Sequence, residues 1–82
     1  MTVRLRVKEI ADHYGINRYV LGRRARLSNP TMDDFWLRPE AINPQLRTLE
    51  RLALALTDLI HESPGQAQDV TITVLDLLEV VP

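Results

Sequence analysis

Ser28, Asn29 and Thr31 carry hydroxyl and amide groups on short stems, and Asp33 follows two residues later. Such groups donate and accept hydrogen bonds over a narrow reach. They suit helix capping or the reading of a partner's polar edge. Guanidinium groups crowd the same stretch, on Arg18, Arg23, Arg24 and Arg26 before the polar run and on Arg38 after it. Each offers five donors in a planar fork that matches phosphate and carboxylate. Nothing here pairs a nucleophile with a base. His13 and His61 are far apart and lack the spacing of a metalloprotease helix, so surface or core histidine accounts for both. The three glycines read as turn or crossing residues, with no phosphate loop among them. The chemistry expected is recognition: no enzyme, no catalytic residues, no metal and no cofactor.

Charge is divided along the chain. The net charge of −1 over 82 residues argues at first against a polyanionic partner. Yet all ten basic residues lie at or before Arg51, against six acidic ones there; beyond Arg51 stand five acidic residues and no base. The asymmetry suggests one part that faces a polyanion and one with another task. Apolar content of 45% and this length fit one small domain with one core. No apolar run approaches the roughly 20 residues that span a bilayer. TVRLRV is short and charged, unlike a secretory leader. Cysteine is absent, which excludes disulfides and thiolate metal sites and fits a cytoplasmic protein.

The elements that must hold the polar run are short. Residues 2–7 alternate, with Val3, Leu5 and Val7 on one side, and suggest a half-buried strand. Residues 8–14 read as a first helix stopped by Gly15, with Ile16 a buried connector. Asn17 is the expected cap of a second helix over residues 18–25. Ser28 or Asn29 caps a third, with Pro30 in its first turn, where a missing N–H costs nothing. That helix continues to Trp36 and fades at residues 37–39. Met32 and Phe35, three apart, share its inner face. A polar loop follows over residues 38–43. Asn43 and Pro44 then signal another helix start. From Gln45, Leu46, Leu49, Leu52, Ala53, Leu56, Leu59 and Ile60 recur at three and four, forming a long amphipathic helix that is continuous to His61 or broken near Thr57 and Asp58. Residues 63–69, SPGQAQD, have linker composition. Val70, Ile72 and Val74 alternate with Thr71 and Thr73, so a strand is expected over residues 70–75. It would pair with the first strand within one chain or between two. Residues 75–81 also fit a helix.

Residues 17–36, NRYVLGRRARLSNPTMDDFW, resemble the helix-turn-helix of lambda-repressor/Cro-like (XRE family) proteins. Leu21, Gly22, Ala25, Leu27, Met32 and Phe35 fall where such a helix pair touches itself, and the likeness extends over about residues 7–61. The resemblance implies a mainly α bundle of four to five helices, here with a minor two-stranded β element from the two terminal segments. It also implies residues 1–62 as a DNA-binding domain and 63–82 as linker and C-terminal strand or dimerisation tail. The helix at about 29–36 would enter the major groove of double-stranded DNA. Ser28, Asn29, Thr31 and Asp33 would meet base edges. Asn17, Arg18, Arg23, Arg24, Arg26, Arg38 and Gln45 would hold phosphates, and Arg4 and Arg6 would extend the contact. Many proteins of this type have glycine where Arg26 stands, because the backbone there tends to positive φ. Arginine at that place costs about 1 kcal/mol.

The implied role is a transcriptional regulator, repressor-like, acting as a homodimer on a palindromic site. The alternative is a protein-interaction module or antitoxin-like subunit on the same fold, whose tail binds a protein partner. Asp33 and Asp34 motivate it, since carboxylates beside phosphates are repelled. Asp33 is then either a specificity element that accepts from cytosine or a sign that this helix no longer enters the groove.

Overall fold

The computed structural model describes residues 2–38, 45–62 and 70–81. The elements run β1 (Thr2–Leu5), α1 (Val7–His13), α2 (Arg18–Ala25), α3 (Asn29–Leu37) and α4 (Leu46–Glu62), then a single 3-10 turn (Leu75–Leu77) and β2 (Leu78–Val81). The fold is therefore mainly α, with a minor antiparallel sheet made by the two terminal segments, as the sequence leads one to expect. The register aligns Thr2 with Val81, Val3 with Val80, Arg4 with Glu79 and Leu5 with Leu78.

Two helix ends are built alike. Gly15, at φ 71°, closes α1: the Ile16 N–H donates to Ala11 O at 2.8 Å and the Gly15 N–H to Asp12 O at 3.2 Å. Arg26, at φ 61°, closes α2 in the same way. Its successor Leu27 donates to Gly22 O at 2.9 Å and Arg26 itself to Arg23 O at 3.2 Å. Both are Schellman closures, in which a left-handed residue turns the chain so that the last carbonyls find donors. Arg26 thus adopts the conformation expected of a residue standing at a glycine position.

One core joins all the elements. Val7, Ala11, Leu21, Met32, Phe35, Leu52, Leu56, Ile60 and Leu77 are among its buried members. The amphipathic α4 is continuous through Thr57 and Asp58, and it buries Leu49, Leu52, Ala53, Ala55, Leu56 and Ile60. Leu46 departs from the expected stripe: it begins the helix and is exposed. Phe35 is buried and Trp36 packs against the core from its rim. The proposed caps at Asn43 and Pro44, most of the loop at 38–43 and the linker at 63–69 lie outside the described residues.

The strands differ from expectation in place. β1 ends at Leu5, and Val7 opens α1. Val3, expected inward, is exposed opposite an exposed Val80, so the ladder runs off the core at that end. The expected strand at 70–75 is a correction: the ladder is made by Leu78–Val81 instead. The reason lies in α4. The Thr57 hydroxyl donates to Ala53 O at 2.9 Å and accepts the Ile72 N–H at 2.9 Å. The His61 ring nitrogen meets Val70 O at 2.6 Å. Side chains of α4 therefore take the backbone groups that a strand partner would take. Val70, Ile72 and Val74 still turn one apolar side to the core, which is what their alternation reports. Among the described residues, no helix is long and apolar enough to cross a membrane.

Candidate nucleic-acid interface

Asn17 starts α2 from an extended conformation, at ψ 160°, and its side-chain Oδ1 accepts the Val20 N–H at 2.8 Å. This is the cap its residue type predicts. The capped helix then presses Gly22 against α3. A Cβ on Gly22 would stand 2.7 Å from Met32 Cγ, so the glycine is what lets the two helices meet. Arg26 turns the chain, and Ser28 opens α3 from φ −70° and ψ 159°. Of the two candidate caps, Ser28 is the one used. Its Oγ accepts the Thr31 N–H over a long 3.4 Å and shares a hydroxyl–hydroxyl hydrogen bond of 2.9 Å with Thr31 Oγ1. Pro30 lies in the first turn.

Packing of Met32 and Phe35 inward leaves the start of α3 outward. Ser28, Asn29 and Pro30 are exposed and Thr31 is half-buried. The edge is therefore open to a partner, although Ser28 and Thr31 spend part of their hydrogen-bonding capacity on each other.

The cations divide into two groups. Arg18 and Asp33 form an ion pair at 2.6 Å, so the first residue of α2 is tied to the second turn of α3. Arg24 reaches across to the end of α4 and grips Glu62 with both terminal nitrogens, Nη2 to Oε1 at 2.8 Å. That hydrogen bond, then the nearby positive charge, holds the Glu62 carboxyl below the usual carboxylate range. In the same way, the hydrogen bond from Arg6 lowers Glu9. Arg4 pairs with Glu79 at 2.7 Å, and Lys8 with Asp12 at 2.7 Å.

The second group stands outside these pairs. Arg23, Arg26, Arg38, Arg47 and Arg51 have no ion pair among the described residues. Arg23 lies over the Tyr19 ring, 5.7 Å from its centroid. Together with Tyr19 and Val20, Arg23, Arg24 and Arg26 line one open basin. Arg24 and Arg26 continue into a second, lined also by Arg51, Leu54 and Asp58. The basic surface thus runs from the outer side of α2 through the turn onto α4.

Of the residues singled out in the sequence, the fold brings Arg23, Arg24 and Arg26 to one surface, Ser28 to Thr31, and Arg18 to Asp33. Asn17 serves as a cap through its Oδ1. Arg38 ends α3 and Gln45 precedes α4; both are exposed, and among the described residues neither joins the basin. Two contributors escaped the sequence reading, Tyr19 and Arg51. Arg51 had a signal, its place four residues after Arg47 on the polar side of α4. No group of three or more potential metal ligands occurs among the described residues. Neither the family models, the curated proteins nor the solved structures provide a match to this chain.

Proposed function

We propose that this chain is a sequence-specific double-stranded DNA-binding protein of the lambda-repressor/Cro-like kind, a cytoplasmic regulator of transcription that works as a homodimer. One observation supports the reading: the outward-facing start of α3, at Ser28 and Asn29, follows within three residues of Arg26, one of the three arginines that line the basin on α2. In that reading α3 enters the major groove. Asn29 reads base edges with the remaining capacity of Ser28 and Thr31. Arg23, Arg26, Arg38, Gln45 and the amide of Asn17 hold phosphates on either side. A single edge of this size reads few bases, so two copies on a palindromic site are the natural arrangement.

A salt titration of duplex binding tests it. Phosphate contacts release counterions, and the logarithm of the affinity should fall linearly and steeply with the logarithm of salt. Asn29→Ala should relax base preference, and Arg23→Ala should weaken all sequences alike. Absence of duplex binding at low salt would end the reading.

The second reading, a protein-interaction module or antitoxin-like subunit on the same fold, is favoured by one observation. Two of the expected phosphate contacts, Arg18 and Arg24, are already occupied by Asp33 and Glu62. Retention of a protein partner by a chain that ignores duplexes at low salt would select it.

A further inference from the structure

Arg18 and Asp33 form the one ion pair that joins α2 to α3 among the described residues, at 2.6 Å from Nη1 to Oδ1. Asp33 lies four residues after Asn29, so the two share an outward face of α3, away from buried Met32 and Phe35. Both partners of the pair keep 46% of their side-chain surface accessible. The contact joins one guanidinium nitrogen to one of the two carboxylate oxygens. The pair is neutral as a whole. Neutralisation removes the repulsion that a bare carboxylate would meet beside phosphates, and it equally weakens Arg18 as a phosphate clamp.

Set edge-on to a base pair, the other guanidinium nitrogens would supply two donors and the second carboxylate oxygen an acceptor beside them. In the major groove a G·C pair presents two acceptors on guanine, N7 and O6, then a donor on cytosine, N4–H. An A·T pair presents acceptor, donor, acceptor. Donor, donor, acceptor on the protein is complementary to the first and mismatched to the second. Resting on the DNA-binding reading above, we infer that Arg18 and Asp33 act together as one reading unit for a G·C base pair, and that Arg18 meets guanine instead of a phosphate.

Selection from random duplexes by the wild-type chain, Asp33→Asn, Arg18→Lys and Arg18→Ala tests this, with circular dichroism to establish that each variant is folded. The wild type should enrich a G·C pair at one column of each half-site, with a preference of about five- to a hundredfold. Asp33→Asn should admit adenine at the cytosine position, because an amide both donates to and accepts from adenine. Arg18→Ala should lose the guanine preference, and Arg18→Lys should keep part of it. The salt slope should stay unchanged in Arg18→Lys, which keeps the pair neutral. An unchanged column in Asp33→Asn overturns the inference. So does an intact column in Arg18→Ala with a salt slope reduced by about one, the signature of a phosphate clamp. Both results leave DNA binding standing. Failure of the wild type to enrich any duplex overturns the DNA-binding reading itself and the inference with it.

Discussion

Gly22 and Met32 are in contact so close that a single added methyl at Gly22 would lie 2.7 Å from Met32 Cγ. Met32 is 1% exposed, so its side chain is enclosed by the core. Two effects then compete in Gly22→Ala. Removing a glycine from the interior of α2 favours the helix by about 1 kcal/mol. Overpacking a filled core costs about 1–3 kcal/mol. The second prevails because the clashing atom lies in the middle of a buried side chain. Gly22→Ala should lower stability by about 1 kcal/mol in urea unfolding. In a Met32→Ala background the same change should become neutral or stabilising, and that reversal is the measurement that isolates the contact.

Arg26→Gly should separate stability from binding. The residue sits at φ 61°, where a side chain costs about 1 kcal/mol and glycine nothing. Chemical unfolding should show a gain of roughly 0.5–1 kcal/mol. If the cation holds a phosphate, the more stable variant binds duplexes more weakly, with a shallower salt slope. A gain in stability without any change in binding would remove Arg26 from the interface.

Thr57→Val should loosen the C-terminal segment. The hydroxyl accepts the Ile72 N–H at 2.9 Å, and valine, of similar shape, cannot. Leaving that donor unmatched costs about 1–2 kcal/mol. Hydrogen exchange at Ile72 should accelerate well beyond any change in the buried helices. Uniform acceleration everywhere would mean that Thr57 acts through global stability and not as a local anchor.

The bridge between Arg24 and Glu62 should give an acid-sensitive contribution. The folded carboxyl sits below its ordinary value of 4.5, so its contribution is complete above that value and is lost as the pH falls through the folded one. Glu9 behaves likewise beside Arg6. Both are surface groups, so the effect is small and should shrink with added salt. Thermal midpoints at about pH 7 and about pH 3 should differ less in Glu62→Gln than in the wild type. An equal difference in both proteins would show that other carboxylates carry the acid response.

The helix boundaries were legible because the residues that set them act locally. Asn17 and Ser28 cap with their own side chains, and Gly15 and Arg26 turn the chain where they stand. Gly22 was readable as a crossing point because its neighbours are apolar at helical spacing. The site of the second strand was not legible. Alternation in residues 70–74 reports one buried side, and it is silent on whether a strand or the side chains of an adjoining helix take the hydrogen bonds. The ion pairs were equally out of reach. Arg24 and Glu62 stand 38 residues apart, and no spacing announces that they meet. Counting arginines therefore overstated the free charge at the candidate interface. Capping and base reading also call for the same residue types, so Ser28 serves the first while remaining a candidate for the second.

Leu77 is fully buried, Arg6 donates its N–H to Leu77 O at 2.8 Å, and Arg4 meets Glu79 across 75 positions of chain. The interior thus depends on a residue that is made after all four helices. On the ribosome, the nascent helices lack their last apolar plug until Leu77 has emerged, and joining such distant partners is a slow, entropy-limited event. A newborn chain therefore waits with part of its oily interior uncovered, and it is in that interval that a chaperone would have most to offer it.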